Sequence, residues 1–180
     1  PSLRGEHVIE VMVDTRRGPQ VAALFGVNVG KKRALPVAKL YPRAIATTPS
    51  AFAGKLFALV AATRRDYGLP PLVPSPALAS VARRHSRAMR QHAFFGHVGP
   101  RGSTLARRLA AQRVSYSAAG ENLALASSAQ RAHDSLMRSP SHRKLLLDAR
   151  MTHLGIGVAA GPRGLHYVTQ CFAALVAPQR

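Results

Sequence analysis

LGIGVAAGPRGLHYVTQCFAALV (154–176) holds two apolar, β-branched and aromatic runs around the tetrapeptide GPRG. Gly and Pro between such runs read as a hairpin turn, so LGIGVAA (154–160) and LHYVTQCFAALV (165–176) are predicted to be paired strands. Two strands alone are marginal in water and need further strands or a packing layer. GENLALA (120–126) is the candidate third strand.

Upstream of that segment the period changes. Phe52, Leu56, Leu59, Val60, Thr63 and Tyr67 recur at helical spacing, and Gly68, Pro70 and Pro71 end the pattern. Ser75-Pro76 is a cap followed by proline at the first helical position. Leu78, Val81, Ala82, His85, Ala88, Met89 and His92 then mark one face of a second helix. A third helix is expected from Ser103 or Thr104, a fourth from about Ser128 to Met137, and a short fifth in SPSHRKLLL (139–147). Helices first and a hairpin late give an α+β class, helices packed on a sheet.

Residues 1–50 read differently. HVIEVMVD (7–14) is strand-like, a β-hairpin is possible there, and a basic, proline-containing stretch runs on to TTPS (47–50). The expected organisation is therefore a basic N-terminal extension or linker over 1–50, partly strand, and one domain over 51–178. VAALFGVNVG (21–30) is too short for a membrane span, which needs about 18 apolar residues. Arg16 and Arg17 precede it as in a twin-arginine signal, but Lys31, Lys32 and Arg33 follow at once and no small-residue cleavage site is evident. The chain begins at Pro1, as a processed chain or a fragment would.

Lys and Arg number 26 against 7 Asp and Glu, a formal charge of +19. That balance favours anionic partners: cell-envelope polymer, anionic lipid or nucleic acid. The arginines are spread along the chain rather than massed in one segment, which also fits a solvated surface. Cys171 is the only cysteine, so an internal disulfide and a cysteine-based zinc site are excluded.

Few residues are candidates for chemistry. Ser139 caps a helix, Pro140 fits its first position, and His142 falls in the first turn, where the helix dipole favours a neutral imidazole. SHRK (141–144) matches S-x-x-K, but the companion S-D-N and K-T-G motifs are missing and that reading is discarded. Only Asp66, Glu121, Asp134 and Asp148 are acidic beyond residue 50. Glu121 lies among small and apolar residues, so it is expected to be partly buried with histidine, arginine or backbone partners. His97 follows two aromatics in HAFFGHVGPRG (92–102), on a loop leaving an anchored helix end. His85 reads as a core histidine, and His166 as an outward residue of the last strand. His133 and Asp134 are adjacent on a helix and do not face each other. No HExxH, CxxC, G-x-S-x-G or P-loop occurs.

Seven segments in order carry a resemblance: RRDYGLPPL (64–72), ARRHSRAM (82–89), FFGH (94–97), GENLALA (120–126), LMRSPSHRKLLL (136–147), LGIGV (154–158) and HYVTQCF (166–172). Together they are similar to the bacterial branch of the CAP superfamily, the SCP-like, cysteine-rich secretory, antigen 5 and pathogenesis-related-1 proteins. The match covers about residues 52–176. The resemblance implies an α–β–α sandwich, with helices on both sides of a small, mainly antiparallel sheet. It also implies a cleft lined by two histidines and acids, with divalent metal binding in some members. His97 matches the first cleft histidine, Glu121 the acid of the G-E-N motif, and His142 the second histidine. The second acid of the eukaryotic branch falls at or near Ser139, where this chain has no carboxylate. Leu136 stands where an aromatic is usual, and a family named for cysteines has one here.

The expected function is an extracytoplasmic binding module, extracellular or on the cell envelope and monomeric. Its His97–Glu121–His142 cleft, with Ser139, would take a divalent metal such as zinc or a small polar or lipid ligand. Two imidazoles and a carboxylate would leave a fourth zinc position for water. The alternative is a metal-assisted peptide or ester hydrolase, for which Ser139 and Ser141 are nucleophile candidates by proximity alone. A sequence-independent nucleic-acid binder is the third reading, resting on charge. The resemblance leans away from an enzyme, since no reaction is shared across the family.

Overall fold

The computed structural model describes residues 5–29 and 47–176. The basic stretch through Lys31, Lys32 and Arg33, and residues 177 and 178 of the expected domain, lie outside the described residues. The elements run β1 (Gly5–Thr15), β2 (Gly18–Val29), α1 (Pro49–Asp66), β3 (Val73–Pro74), α2 (Pro76–Gln91), α3 (Leu105–Ala111), β4 (Tyr116–Ala126), α4 (Ala129–Arg138), α5 (Pro140–Leu146), β5 (His153–Ala160) and β6 (His166–Leu175).

β5 and β6 pair antiparallel around Gly161–Gly164, from His153 opposite Ala173 to Ala160 opposite His166. β6 pairs antiparallel with β4, and the short β3 runs parallel to β5, giving the order β3-β5-β6-β4. Side chains alternate across the strands. Phe172 enters a core with α1 residues Phe52 and Leu56 and the α4 residue Leu136. Its neighbours Cys171 and Ala173 enter a second core with Leu78 and Val81 of α2 and Leu109 of α3. The sheet is thus covered on both faces: the α+β class expected from the strand and helix periods, and the α–β–α sandwich that the resemblance implies, are the observed architecture.

The glycines of LGIGV explain how tightly one face closes. A Cβ at Gly155 would come within 2.1 Å of the Ala79 nitrogen, and one at Gly157 within 2.1 Å of the Ala82 carbonyl carbon. Both strips of bare backbone let α2 lie directly on β5, while Leu154, Ile156 and Val158 fill the opposite core. The helix starts follow their caps. Thr48, Ser75, Thr104, Ser128 and Ser139 each accept a first-turn backbone N–H, satisfying donors that a helix start leaves open.

The buried stripe of α1 differs from the expected one at its end. Tyr67 is the C-cap and is 58% exposed, whereas Arg64 is 1% exposed. The Arg64 guanidinium donates to the carbonyls of Pro70, Leu146 and Asp148, so the charge is buried only where backbone oxygens meet it. β1 and β2 form a separate antiparallel hairpin that carries no strand of the main sheet. No described helix is long and apolar enough to cross a membrane.

Candidate functional site

The site forms at β4, an edge strand of the sheet, and the G-E-N motif explains why. Gly120 leaves room for Leu145 of α5, since a Cβ there would meet the leucine side chain at 2.7 Å. Glu121 pairs across to Cys171, on the α2–α3 side. Asn122 instead donates from Nδ2 to the His142 carbonyl at 3.1 Å, tying α5 to the sheet. Adjacent residues of one strand therefore serve the two histidines from opposite faces.

Glu121 is held on every side. Its side chain is 3% exposed. Its Oε1 accepts from His97 Nδ1 at 2.9 Å, and its Oε2 from the Arg108 guanidinium at 2.6 Å. His85 Nε2 lies 3.8 Å from Oε1 and bonds the Gly96 carbonyl at 3.0 Å. Arg108 also donates to the His97 and Ser103 carbonyls, fixing the loop that carries His97. Burial pushes His85 below the usual imidazole range, partly offset by Glu121. Burial, reinforced by Glu121, pushes the Cys171 thiol well up, which makes it an inert core residue.

His142 is held differently. Ser139 Oγ lies 2.6 Å from His142 Nδ1, in a residue that is 3% exposed. The same hydroxyl donates to Glu10 Oε1, a carboxylate from strand β1. Glu10 also accepts from the Ser141 backbone N–H at 3.0 Å and the Ser141 hydroxyl at 3.1 Å. The hairpin thus brings a carboxylate to Ser139, the position at which the resemblance left one missing. Burial alone would raise the Glu10 carboxyl, but the hydrogen bonds from Ser139 and Ser141 and the nearby His142 bring it below its usual value. Burial lowers His142 as well, with Glu10 opposing and His97 reinforcing.

The hairpin grips the other wall too. The Arg17 carbonyl accepts from the Val98 N–H at 2.9 Å, and Gln20 Nε2 donates to the Phe95 carbonyl at 2.7 Å. The Arg17 guanidinium sits 4.4 Å from the centre of the Phe94 ring. Gly96 is what admits this contact, because a Cβ there would fall 2.8 Å from the Arg17 Cβ. Between the walls lies a cavity of about 270 Å³, lined by His97, His142, Ser139 and Gln20 with apolar Leu123 and Leu136.

A family model for cysteine-rich secretory proteins, CAP, matches residues 57–172. The chain belongs to the CAP family. YkwD of Bacillus subtilis (strain 168) is 32% identical to it over 109 residues, 60% of this chain and 42% of YkwD. An extracellular protein containing an SCP domain from Bacillus anthracis str. Ames is 32% identical with a TM-score of 0.64, over 71% of this chain and 44% of that one. The chain therefore spans less than half the length of these relatives. NaASP2, solved with Zn²⁺, shares the fold at 12% identity and a TM-score of 0.52, over 68% of this chain and 79% of its own.

In this CAP domain His97, Ser139 and His142 line one cavity, while Glu121 stands behind His97 rather than in the opening. Three supporting residues were not foreseen. Arg108 is one arginine among many and carries no motif. His85 is buried as its helical stripe predicts, but its neighbour Glu121 is invisible to that period. Glu10 is 129 residues from Ser139 in the chain. His133 bonds Thr63 at 2.7 Å, and His166 stacks on Phe52 with ring centres 4.9 Å apart, so neither belongs to the cleft.

Proposed function

We propose that this CAP chain is an extracytoplasmic binding module. Its cleft takes a small polar or amphipathic ligand, or a divalent metal, between His97 and His142. Its arginine-rich surface lies against anionic envelope polymer or lipid. One observation carries the cleft reading. Each imidazole has Nδ1 engaged by a fixed partner, no described residue bonds either Nε2, and both rings line the same cavity. A ring held at one nitrogen offers the other to a ligand. Leu123 and Leu136 suit the apolar part of such a ligand.

The donor set meets a metal only in part. Both Glu121 oxygens are taken, and the described residues contain no group of three or more His, Cys, Asp or Glu arranged to hold an ion. A metal in the cleft would rest on His97 and His142, one protein ligand short of an ordinary catalytic zinc site. The second reading, a hydrolase, has one point in its favour, the 2.6 Å approach of Ser139 Oγ to His142 Nδ1. Ser139 is a buried residue whose hydroxyl caps α5 and donates to Glu10, so its proton and lone pairs already serve the fold. The surface charge also gives salt-sensitive, sequence-independent attraction to nucleic acid.

Calorimetry with Zn²⁺ on the metal-free chain tests the cleft directly. One weak equivalent is expected, lost in both His97→Ala and His142→Ala. Binding that persists in both variants would place the ion elsewhere and sink the cleft reading.

A further inference from the structure

The two cleft histidines have different kinds of support, and the second kind lies outside the family match. His97 Nδ1 faces a carboxylate, which only accepts, so that nitrogen carries the proton. His142 Nδ1 faces a hydroxyl, which can accept or donate. A serine beside a neutral imidazole therefore leaves the tautomer undecided. Glu10 decides it. Its carboxylate accepts the hydrogen bond from the Ser139 hydroxyl, so the Ser139 oxygen is left to accept from His142 Nδ1–H.

We propose that Glu10 is a positioning residue of the cleft, acting through Ser139 to hold His142 in the Nδ1–H tautomer so that both histidines turn an Nε2 lone pair toward the cavity. The relay runs His142 Nδ1–H to Ser139 Oγ, then Ser139 Oγ–H to Glu10. With Glu10 withdrawn, the Ser139 hydroxyl turns to donate to Nδ1, and the ring proton moves to Nε2. The nitrogen facing the ligand then changes from acceptor to donor. No net charge is gained or lost in that exchange, only the polarity of the cleft at one point.

The geometry of the hairpin supports a positioning role over a chance surface contact. Three donors converge on the Glu10 carboxylate, namely the Ser139 hydroxyl, the Ser141 hydroxyl and the Ser141 N–H. The same hairpin is anchored to the His97 loop through Arg17 and Gln20, so it spans both walls. Val8, Ile9, Val11, Met12 and Val13 of β1 are exposed, and a two-stranded ribbon has little stability of its own. Its placement depends on these contacts, and so does the tautomer they set. The inference rests on the cleft reading only for its functional consequence, because the tautomer is measurable without any ligand.

Long-range ¹H–¹⁵N correlation spectra of the histidine rings, taken where the imidazoles are neutral, provide the test. The full chain is compared with Glu10→Ala and Glu10→Gln. His142 is expected as Nδ1–H in the unchanged chain and as mainly Nε2–H in Glu10→Ala, the two ring ¹⁵N resonances exchanging positions. Glu10→Gln keeps the original pattern, since an amide oxygen still accepts from Ser139. His97, held by Glu121, stays Nδ1–H throughout and reports that the fold is intact. An unchanged His142 pattern in Glu10→Ala would overturn the proposal, as would an Nε2–H ring in the unchanged chain. Simultaneous loss of the His97 pattern would mark general unfolding and would count against it equally.

Discussion

The two walls of the cleft present the same side chain by opposite means. His97 is backed by a carboxylate sealed inside the sandwich, with Arg108 and His85 around it. His142 is backed by a hydroxyl at a helix start and a carboxylate on a ribbon near the surface. The first support is inseparable from the fold, because removing it strands a charge in the interior. The second can be withdrawn without touching either hydrophobic core. One wall is therefore structural and the other adjustable, and single substitutions separate them.

The largest effect belongs to the buried wall. Glu121→Ala leaves the Arg108 guanidinium, 9% exposed, without its counter-charge. Breaking a buried pair from one side costs roughly 3–5 kcal/mol. Urea unfolding is expected to show a loss of that size, with the His97 loop losing hydrogen-exchange protection first. A loss below about 1 kcal/mol, the scale of an exposed pair, would place the two walls on an equal footing.

An acid titration of stability sits in the middle. His85, His133 and His142 are all lowered from 6.5 by burial. The unfolded chain then takes up protons before the folded one does, so stability is full above about pH 6.5 and falls as pH drops below it. Glu10 is lowered from 4.5, and its contribution is likewise present above that value and lost beneath it. Thermal unfolding across pH 8 to 4 is expected to show the decline beginning near the histidine value. A profile flat down to pH 5 would contradict the buried-histidine account.

The smallest effect is at the adjustable wall. Ser139→Ala removes a helix cap and the contact to Glu10, a cost of about 1 kcal/mol. Its melting temperature should fall by only a few degrees. A cost matching that of Glu121→Ala would mean that the second wall is as structural as the first.

Local signals carried most of the frame. The alternating run ending in QCF, the paired glycines of LGIGV and the serine and threonine caps each act within a few residues of themselves, and three strands of the sheet and all five helices follow from them, whereas the two-residue parallel strand β3 does not. His97, Glu121 and His142 stood out because acids are scarce and each histidine sits at an anchored turn. What escaped was set by contacts between distant segments. Arg108 is chosen from many arginines only by the position of Glu121. Arg64 looks like a surface charge until three carbonyls surround it. β4 starts four residues before GENLALA, in YSAA, where the register shift between Tyr116 and Ala118 breaks the alternation although Tyr116, Ala118 and Ala119 pair with β6. Glu10 belongs to a region read as extension or linker, and nothing in its own neighbourhood points to Ser139.

Arg64 carries a consequence of its own. Its guanidinium joins α1, the turn at Pro70 and the end of α5, three separate stretches of chain, through carbonyl oxygens alone. A covalent cysteine cross-link over the same span would exist only where the surroundings are oxidising. A guanidinium keeps its charge across the biological pH range and is indifferent to thiol reagents. The described fold is therefore bound together in a way that no reductant undoes. The same tie holds in oxidising and in reducing surroundings alike.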